Sequence, residues 1–319
     1  MISYTIRRIL ILIPMLFFLT FLVFLGLELT PGDAVSYMVN PDALANISQE
    51  LLEQLRDSLG LKDPFIVRYF RWIGGILKGD FGYSLSSGVS ISEIFLDRLP
   101  ATLELSITAL LISTFLGSIL GIISALKKGA VVDNILTLFG MIGVSIPQFF
   151  FGLIAILIFS LRLGWLPVGG RLLPGHESLL DTLPHLILPS LVLGLTMTAG
   201  VMRYARGSML DALNKEYVRT ARSKGIPEWR VKLIHGLRVA LSPIIVLIGF
   251  RLPLLIGGSV VIEQVFQWPG IGREFLDAVR FQNTPLVMMI ALLFGLAMLT
   301  SSLIVDLFTA MLDPRIRLE

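Results

Sequence analysis

Residues able to carry chemistry are few and scattered along the chain. Cysteine is absent from all 319 residues, which excludes disulfides and thiolate metal sites, and the three histidines are His176, His185 and His235. His176-Glu177 begins like a zinc-protease helix, but Leu180 stands where the second histidine should be. We expect His185 and His235 on opposite sides of a membrane, so they cannot share a metal. The chain has no Gly-x-Ser-x-Gly elbow and no Gly-x-x-x-x-Gly-Lys-Ser/Thr phosphate loop, so neither an intramembrane enzyme nor an ATP-binding protein of that kind is expected.

The composition is that of a polytopic membrane protein. Hydrophobic residues make up 55% of the chain, charged residues 15%, and the mean hydropathy is +0.82. A soluble domain is nearer to about 45–50% apolar and about 25% charged. The net charge of +3 is typical of the Lys/Arg excess of cytoplasmic loops. We therefore expect the lipid bilayer, and not nucleic acid, as the surrounding partner.

Apolar runs of about 20 residues predict transmembrane helices. The third run contains Pro147, so it is either one tilted, kinked helix or a shorter helix that leads into an interfacial one. The six predicted spans are Ile9–Leu29, Leu103–Leu126, Ile135–Leu161, His185–Met202, Val239–Ile262 and Leu286–Phe308.

Charge distribution predicts the orientation. Lys and Arg mark cytoplasmic loops, so both termini and the 203–238 stretch are predicted to face the cytoplasm. Six spans agree with this, whereas five would put 203–238 and the C-terminus on opposite sides. The first span lacks a signal-peptide cleavage site and is expected to be retained. The basic flanks are Arg7, Arg8, Lys127, Lys128, Arg315 and Arg317, and the acids of the opposite side are Asp33, Asp42, Glu50, Glu53, Asp57, Asp63, Asp80, Glu93 and Asp97.

The segment of about 30–100 between the first two spans is predicted to form small extracytoplasmic helices. Ser48 is a candidate N-cap, Gly60 a stop signal and Asp63-Pro64 the start of the next helix. Ser90 and Glu93 have capping-box spacing. The segment either packs as a compact cap on the spans or docks a partner. The apolar face predicted for the helix after Pro64 is Ile66, Phe70, Ile73 and Leu77.

The stretch 216–238, which we call the basic corner, interrupts the apolar spans. Gly225 and Pro227 predict a break between two short helices, the second starting near Glu228 and carrying a Glu228–Lys232 pair. Tyr217 with Ala221, and Trp229 with Leu233, each share a helix face. The corner is therefore either a docking element for a soluble partner or a solvated loop that only sets the topology.

The basic corner resembles the cytoplasmic loop of ABC import permeases, whose pattern is Glu-Ala-Ala-x-x-x-Gly. The matching positions are Arg219, Thr220, Ala221 and Gly225, so the Glu and the first Ala are absent, but EYVRTARSKG is similar to the form found in dipeptide, oligopeptide and nickel permeases. The resemblance covers essentially the whole chain. Further matching segments are TPGDAV (30–35), LGLKDPFIVRYFRWIGGILKGDFGYS (59–84), RLPATLEL (98–105), SIPQFF (145–150), LGWLPVGGR (163–171), VFQWPGIGR (265–273) and VDLFTAMLDPRIR (305–317).

This resemblance implies an all-α, six-helix type I importer permease of a bacterial or archaeal cytoplasmic membrane. Residues 1–100 would form the first helix with its extracytoplasmic segment, and 101–319 the five-helix permease core. The implied partners are a homologous second permease, two ATPase subunits that bind ATP and Mg, and an extracytoplasmic binding protein. The implied solute is peptide-like, with a nickel chelate, glutathione or another small solute as alternatives. The residues implied to couple to the ATPase are Glu216, Tyr217, Arg219, Thr220, Ala221, Arg222, Lys224, Gly225, Pro227 and Trp229.

Polar and small residues within the spans are candidates for the pathway and for packing. Ionisable residues at membrane depth usually face protein or water, so Glu104 and Arg251 either line the pathway or pair structurally, Arg251 with Glu104 or Glu28. Trp268-Pro269-Gly270 begins either a re-entrant turn at the pathway mouth or a simple structured loop. Asp306 is expected to pair with Arg315 or Arg317. The small-residue ridge that includes Gly117 and Gly121 packs either inside the bundle or against the second permease.

A secondary transporter or channel is the remaining alternative from the residues alone. Such a protein needs coupling-ion sites or inverted repeats, and no clear pair of repeated halves is visible in the sequence.

Overall fold

The computed structural model describes residues 2–31, 35, 49–172, 179–251, 257 and 259–312. These residues are mainly helical, and the extended pairing among them is one antiparallel bridge between Tyr83 and Ser90. The helices are α1 (Ile2–Glu28), α2 (Gln49–Ser58), α3 (Phe65–Leu77), α4 (Ile91–Leu126), α5 (Val131–Ser145), α6 (Gln148–Ala155, continued by π-helical Ile156–Arg162), α7 (Leu179–Leu213), α8 (Glu216–Ser223), α9 (Glu228–Arg230, continued by π-helical Val231–Gly236), α10 (Leu237–Arg251), α11 (Val260–Val265), α12 (Ile271–Arg280) and α13 (Thr284–Leu312).

Several predicted features fall outside these residues and receive no structural account. They are Asp33, Asp42, the Ser48 cap, His176, Glu177, Arg315 and Arg317.

The all-α polytopic fold predicted from the sequence is confirmed. Within the described ranges five helices are long and apolar enough to cross a membrane, and the bent pair α5–α6 raises the number to six if it is one span. The break in that pair is a 101° bend at Ile146-Pro147. Proline lacks an N–H and forces the preceding residue out of the helical region, and Ile146 is accordingly extended, with φ −82° and ψ 124°.

Helix α7 is much longer than the predicted span His185–Met202. It has 35 residues, so its length is about 50 Å at 1.5 Å per residue, against about 30 Å for a hydrocarbon core. The helix does not end with the predicted span at Met202, because beyond it the helix continues on packing contacts and not on hydrophobicity alone. Met209 and Ala212 are buried against Ala125 and Ala240 of neighbouring helices. One rigid rod thus extends from the membrane to within two residues of the basic corner.

Helices α4 and α7 approach each other at glycines. A Cβ atom on Gly117 would lie 2.5 Å from the Val201 Cβ, and one on Gly121 would overlap the Met202 carbonyl oxygen. Gly194 of α7 repeats this on the other side, where a Cβ would lie 2.9 Å from Ile112 Cγ2. These glycines therefore pack within this chain, where they let two backbones come together.

Helix α3 packs through a face that only partly matches the predicted one, since Ile73 alone of the predicted residues lies against the cluster around Tyr69. Tyr69 is buried and its hydroxyl donates to the Phe17 carbonyl at 2.8 Å, so α3 lies along α1. Ile66 and Phe70 of the predicted face are exposed instead, Phe70 by 60%. The aromatic neighbours decided the packing, since Phe65 and Tyr69 stack edge-on against Phe21.

The predicted capping box at Ser90 and Glu93 was also wrong. Ser90 makes no side-chain cap to the backbone, because its hydroxyl pairs with the Ser92 hydroxyl at 2.7 Å. The helix that begins there is the membrane helix α4 itself, which runs without a break through Pro100.

Ion pairs tie α1 to its neighbours at both ends. Glu28 pairs with Arg68 of α3, and Arg8 lies 3.0 Å from Asp306 of α13. The expected partners of Asp306, Arg315 and Arg317, lie outside the described residues. The observed partner therefore joins the first and last helices at one end of the bundle.

Candidate coupling corner and translocation surface

The basic corner folds as a helix–turn–helix. Helix α8 ends at Ser223, and Gly225 adopts φ +73°, a left-handed conformation that closes helices. The Gly225 N–H donates to the Arg222 carbonyl at 2.9 Å, and Pro227 precedes α9. The two-helix corner expected from Gly225 and Pro227 is therefore present.

The corner has a small apolar core of its own. Val218, Ala221 and Val231 are buried together, with Ile226 packed against them. The prediction that Ala221 shares an exposed docking face with Tyr217 was wrong, because Ala221 points into this core. The consequence is that α8 and α9 are fixed to each other and form one unit.

Two aromatic side chains stand out from the corner. Tyr217 is 41% exposed and Trp229 is 58% exposed, and the Arg230 guanidinium lies 5.2 Å from the Trp229 ring centroid. The Tyr217 hydroxyl donates to the Ala212 carbonyl at 3.3 Å, and partial burial raises the pKa of this tyrosine. Large exposed aromatics beside cations are typical of interface anchors.

Charged residues surround these aromatics. Arg222 and Glu228 pair at 2.7 Å across the turn, and the predicted Glu228–Lys232 pair is present at 3.9 Å. Arg219 lies 2.9 Å from Glu216. The hydroxyl of Thr220 caps the carbonyl of Glu216, and Lys224 and Pro227 are exposed at the turn. Exposed ion pairs of this kind contribute little stability in water, so the basic side chains can exchange them for contacts with a partner.

The two mid-membrane candidates do not pair with each other. Glu104 accepts from Arg171 Nε at 2.9 Å. Arg251 donates from Nη1 to the Met197 carbonyl at 3.0 Å and lies against Gly200 of α7. The suggested pairing of Arg251 with Glu104 or Glu28 is therefore not the arrangement found, since both carboxylates have other arginine partners.

An apolar groove runs beside α7. Its volume is about 350 Å³, and it separates α7 from the broken pair α5–α6. The lining residues are almost all apolar, so the groove offers shape and little polarity. Among them are Phe139, Gly143, Ile146, Phe151, Leu195 and Ala199.

The segment Trp268-Pro269-Gly270 is a structured loop held against Ala101 and Thr102 of α4, about three turns after that helix begins. Trp268 is fully buried, and its Nε1 donates to the Ala101 carbonyl at 2.8 Å. A Cβ on Gly270 would lie 2.5 Å from Thr102 Oγ1, so a side chain there would push the loop away. Trp268, a pathway candidate, thus lies inside the apolar core in this conformation.

A buried carboxylate holds this loop. Glu263 is 0% exposed and accepts hydrogen bonds from Thr102 Oγ1 at 2.8 Å, Ser259 Oγ at 2.7 Å and the Arg273 N–H at 2.9 Å. Thr102 Oγ1 in turn accepts from the Ile271 N–H at 2.8 Å. We call this set the Glu263 knot. Such a carboxylate is stable when buried only because donors surround it.

Sequence reasoning missed the Glu263 knot. The available signal was a lone carboxylate at the end of a predicted span, followed within five residues by Trp268-Pro269-Gly270. Its partner Thr102 is distant in sequence and carries no motif, so the pairing required the fold.

A bundle of membrane helices in which the 35-residue α7 leads into an exposed basic corner is typical of multi-pass membrane proteins that transport solutes. Two family models match it, "binding-protein-dependent transport system inner membrane component" over 117–318 and the corresponding N-terminal model over 1–106. The chain belongs to this family, and it is a permease subunit of an ABC importer.

Named relatives agree. The chain is 41% identical over 318 residues to the oligopeptide transport system permease protein AppB of Bacillus subtilis, and 37% identical over 317 residues to the glutathione transport system permease protein GsiC of Escherichia coli K12, with 99% of each chain covered. A crystal structure of an amino acid ABC transporter with histidines matches with a TM-score of 0.52 at 17% identity. That match covers 69% of this chain and 94% of the other, and it supports the fold alone.

Glu263→Ala is predicted to loosen the loop that follows α11. The change removes the acceptor of two buried hydroxyls and one buried N–H, each of which costs about 1–3 kcal/mol when unpaired. Amide hydrogen exchange at Ile271 and Arg273 should accelerate about tenfold or more, measured by mass spectrometry on the purified complex.

Glu274→Ala is the matched control for Glu263→Ala. Glu274 is a half-buried carboxylate of α12, and its arginine neighbour Arg98 lies 3.9 Å away. Exchange at Ile271 and Arg273 should stay near the unmodified rate in this control. Equal protection in Glu263→Ala would show that the knot does not hold the loop.

Proposed function

We propose that this chain forms half of the translocation pathway of an ATP-driven importer and receives its driving force through the basic corner. The observation that carries the proposal is continuity: α7 crosses the membrane and leads, after Asn214 and Lys215, into α8. A displacement of the corner must therefore move the rod that flanks the apolar groove.

The work is divided among several subunits in this proposal. A homologous permease supplies the other half of the pathway, and a binding protein delivers the solute. Two ATPase subunits bind ATP and Mg and hydrolyse the nucleotide, with the corner seated in a cleft of one of them. The family description, which names a binding-protein-dependent system, supports this assembly.

The corner suits an ATPase cleft because it presents aromatics on a preformed support. Tyr217 and Trp229 are exposed, and the core around Val231 fixes the angle between the helices. Because this surface is already ordered, little conformational entropy is lost when a partner binds.

The proposed solute is a peptide or a peptide-like molecule. The support comes from relatives named oligopeptide, peptide and glutathione permeases. A nickel chelate or another small solute carried by the same family is the alternative, and a secondary transporter is disfavoured by the family itself. In this assembly the corner and both termini face the cytoplasm of a bacterium or archaeon, as the Lys/Arg distribution predicts.

Crosslinking from Trp229 tests the coupling assignment directly. The chain has no cysteine, so Trp229→Cys provides a single reactive thiol. In membranes that contain the whole complex, a short reagent with one thiol-reactive end and one photoreactive end should join this position to an ATPase subunit, and bound nucleotide should change the yield. Phe281→Cys is the control. Phe281 is also an exposed aromatic residue, but it follows α12 and lies outside the basic corner, so a thiol there should capture no ATPase. Capture of an ATPase from neither position would reject the assignment.

Ala221→Glu is predicted to uncouple transport. The new carboxylate would enter the apolar core beside Val218 and Val231, and burying it unpaired is too costly, so the corner should open. Uptake should fall about tenfold or more while membrane insertion persists, since coupling energies of this kind are about 1–3 kcal/mol. Ser223→Glu adds the same charge to an exposed position of the same helix and should retain uptake. Normal ATP-driven uptake by Ala221→Glu would contradict the prediction.

Arg251 is proposed to attract the carboxylate of the solute. Its guanidinium has five N–H donors, and the hydrogen bond found for it uses one of them, to the Met197 carbonyl. Arg251→Gln should reduce uptake of a peptide with a free C-terminus by about tenfold relative to its C-terminal amide, the size of a charge-assisted hydrogen bond. Arg251→Lys keeps the charge and should retain most of the preference. An unchanged preference in Arg251→Gln, measured with peptides that the binding protein holds equally, would assign Arg251 to packing.

A further inference from the structure

An ion pair with a buried carboxylate joins α5 to α7 at the end of the bundle that carries the basic corner. Arg206 of α7 donates from Nε and Nη2 to the two carboxylate oxygens of Asp133, each at 2.8 Å. Ser124 of α4 donates to the same carboxylate, and so does the Gly129 N–H at 2.9 Å. Asp133 is buried, so its charge is stable only with this full set of donors.

This ion pair lies between the corner and the groove. Arg206 is on the part of α7 that continues towards α8, ten residues before Glu216. Asp133 is in the first turn of α5, the helix that forms the other wall of the groove. A bidentate arginine–carboxylate contact restrains orientation as well as distance, because both donors and both acceptors are fixed.

Helix α5 is therefore held at one end and bent at the other. Beyond the ion pair α5 meets α7 closely at the buried Gly140, where a Cβ would lie 2.7 Å from Met202 Cε. The contact is looser at Gly143, where a Cβ would lie 3.8 Å from the Ala199 Cβ. At Ile146-Pro147 the chain turns by 101° into α6. Helix α5 is attached to α7 at its first turn, and the chain bends where α5 ends. A movement of α7 should therefore turn α5 about this bend.

We propose that Asp133 and Arg206 are positioning residues for transport: their ion pair makes α5 follow α7, so that a displacement of the basic corner moves both walls of the groove together and changes the angle between α5 and α6 at the Ile146-Pro147 bend. This inference rests on the proposed function, because it describes how force from the corner reaches the pathway. Ser124 and Gly129 orient the Asp133 carboxylate, and Arg206 transmits the movement.

Another ion pair provides a control that distinguishes a role in transport from a role in holding helices together. Arg8 and Asp306 join α1 and α13, lie 3.0 Å apart, and have comparably exposed arginine side chains, 37% for Arg8 against 30% for Arg206. The partners found for Arg8 are Asp306 and Ser302, which both belong to α13. Arg8→Gln is thus a matched control that breaks an inter-helix ion pair outside the proposed force path.

The first experiment uses the complete transporter in proteoliposomes, with ATP hydrolysis and solute uptake measured together. In Asp133→Asn and Arg206→Lys, which preserve size or charge, uptake per ATP hydrolysed should fall about tenfold, within the range of known coupling effects. Arg8→Gln should keep the ratio within about twofold. An unchanged ratio of uptake to ATP hydrolysis in both Asp133→Asn and Arg206→Lys would overturn the proposal. Failure of both variants to assemble would also overturn it, because the ion pair would then be needed for folding and not for transport.

The second experiment measures whether α5 follows α7. Spin labels at Leu138→Cys and Asn214→Cys are unique in this cysteine-free chain and report on an exposed position of α5 and on the end of α7. Their distance should be equal with and without vanadate-trapped nucleotide in the otherwise unmodified protein, and should differ between the two states in Asp133→Asn. A distance that changes already in the unmodified protein would overturn the proposal. If unmodified complex shows no ATP-driven uptake at all, the proposed function fails instead.

Discussion

The close backbone approach of α4 and α7 is the constraint on which the other features depend. Gly117, Gly121 and Gly194 remove the side chains that would keep these helices apart. Lipid is as apolar as the helix surfaces, so packing of this kind, and not hydrophobic burial, holds membrane helices together. The pair forms a rigid column, and the mobile parts of a transporter can be attached to its two ends.

Each end of the column carries one buried carboxylate. Near the start of α4, Glu263 binds the 268–272 loop through Thr102, and at the opposite end Asp133 binds Arg206. The free energy of a buried carboxylate rises steeply when one of its hydrogen-bond donors moves away. Such a carboxylate therefore favours one defined arrangement of its neighbours over a range of intermediate ones. The two carboxylates are therefore suited to fix the loop and α5 in defined positions relative to the column.

The sequence predicted what depends on local patterning and failed where distant residues decide. Gly225 and Pro227 determine the corner through their own dihedral preferences, and Pro147 determines the break in the third span, so both were foreseeable. The packing face of α3 was predicted only in part, because it depends on aromatic contacts with Phe21, which periodicity alone does not contain. Asp133 and Glu263 were missed for the same reason, since their partners come from other helices.

The burial of Ala221 determines how the basic corner responds to force. A corner that docked through Ala221 would have its two helices joined only by the partner, and it would flex when the partner moved. With Ala221 and Val231 buried together, the corner is already one body, and the ion pair between Arg222 and Glu228 spans its turn. A push on the exposed Trp229 is then carried to α8 and from α8 to α7, over a connection of two residues. Little of the displacement is lost in bending, because each step passes through a helix or a packed core and not through a flexible loop.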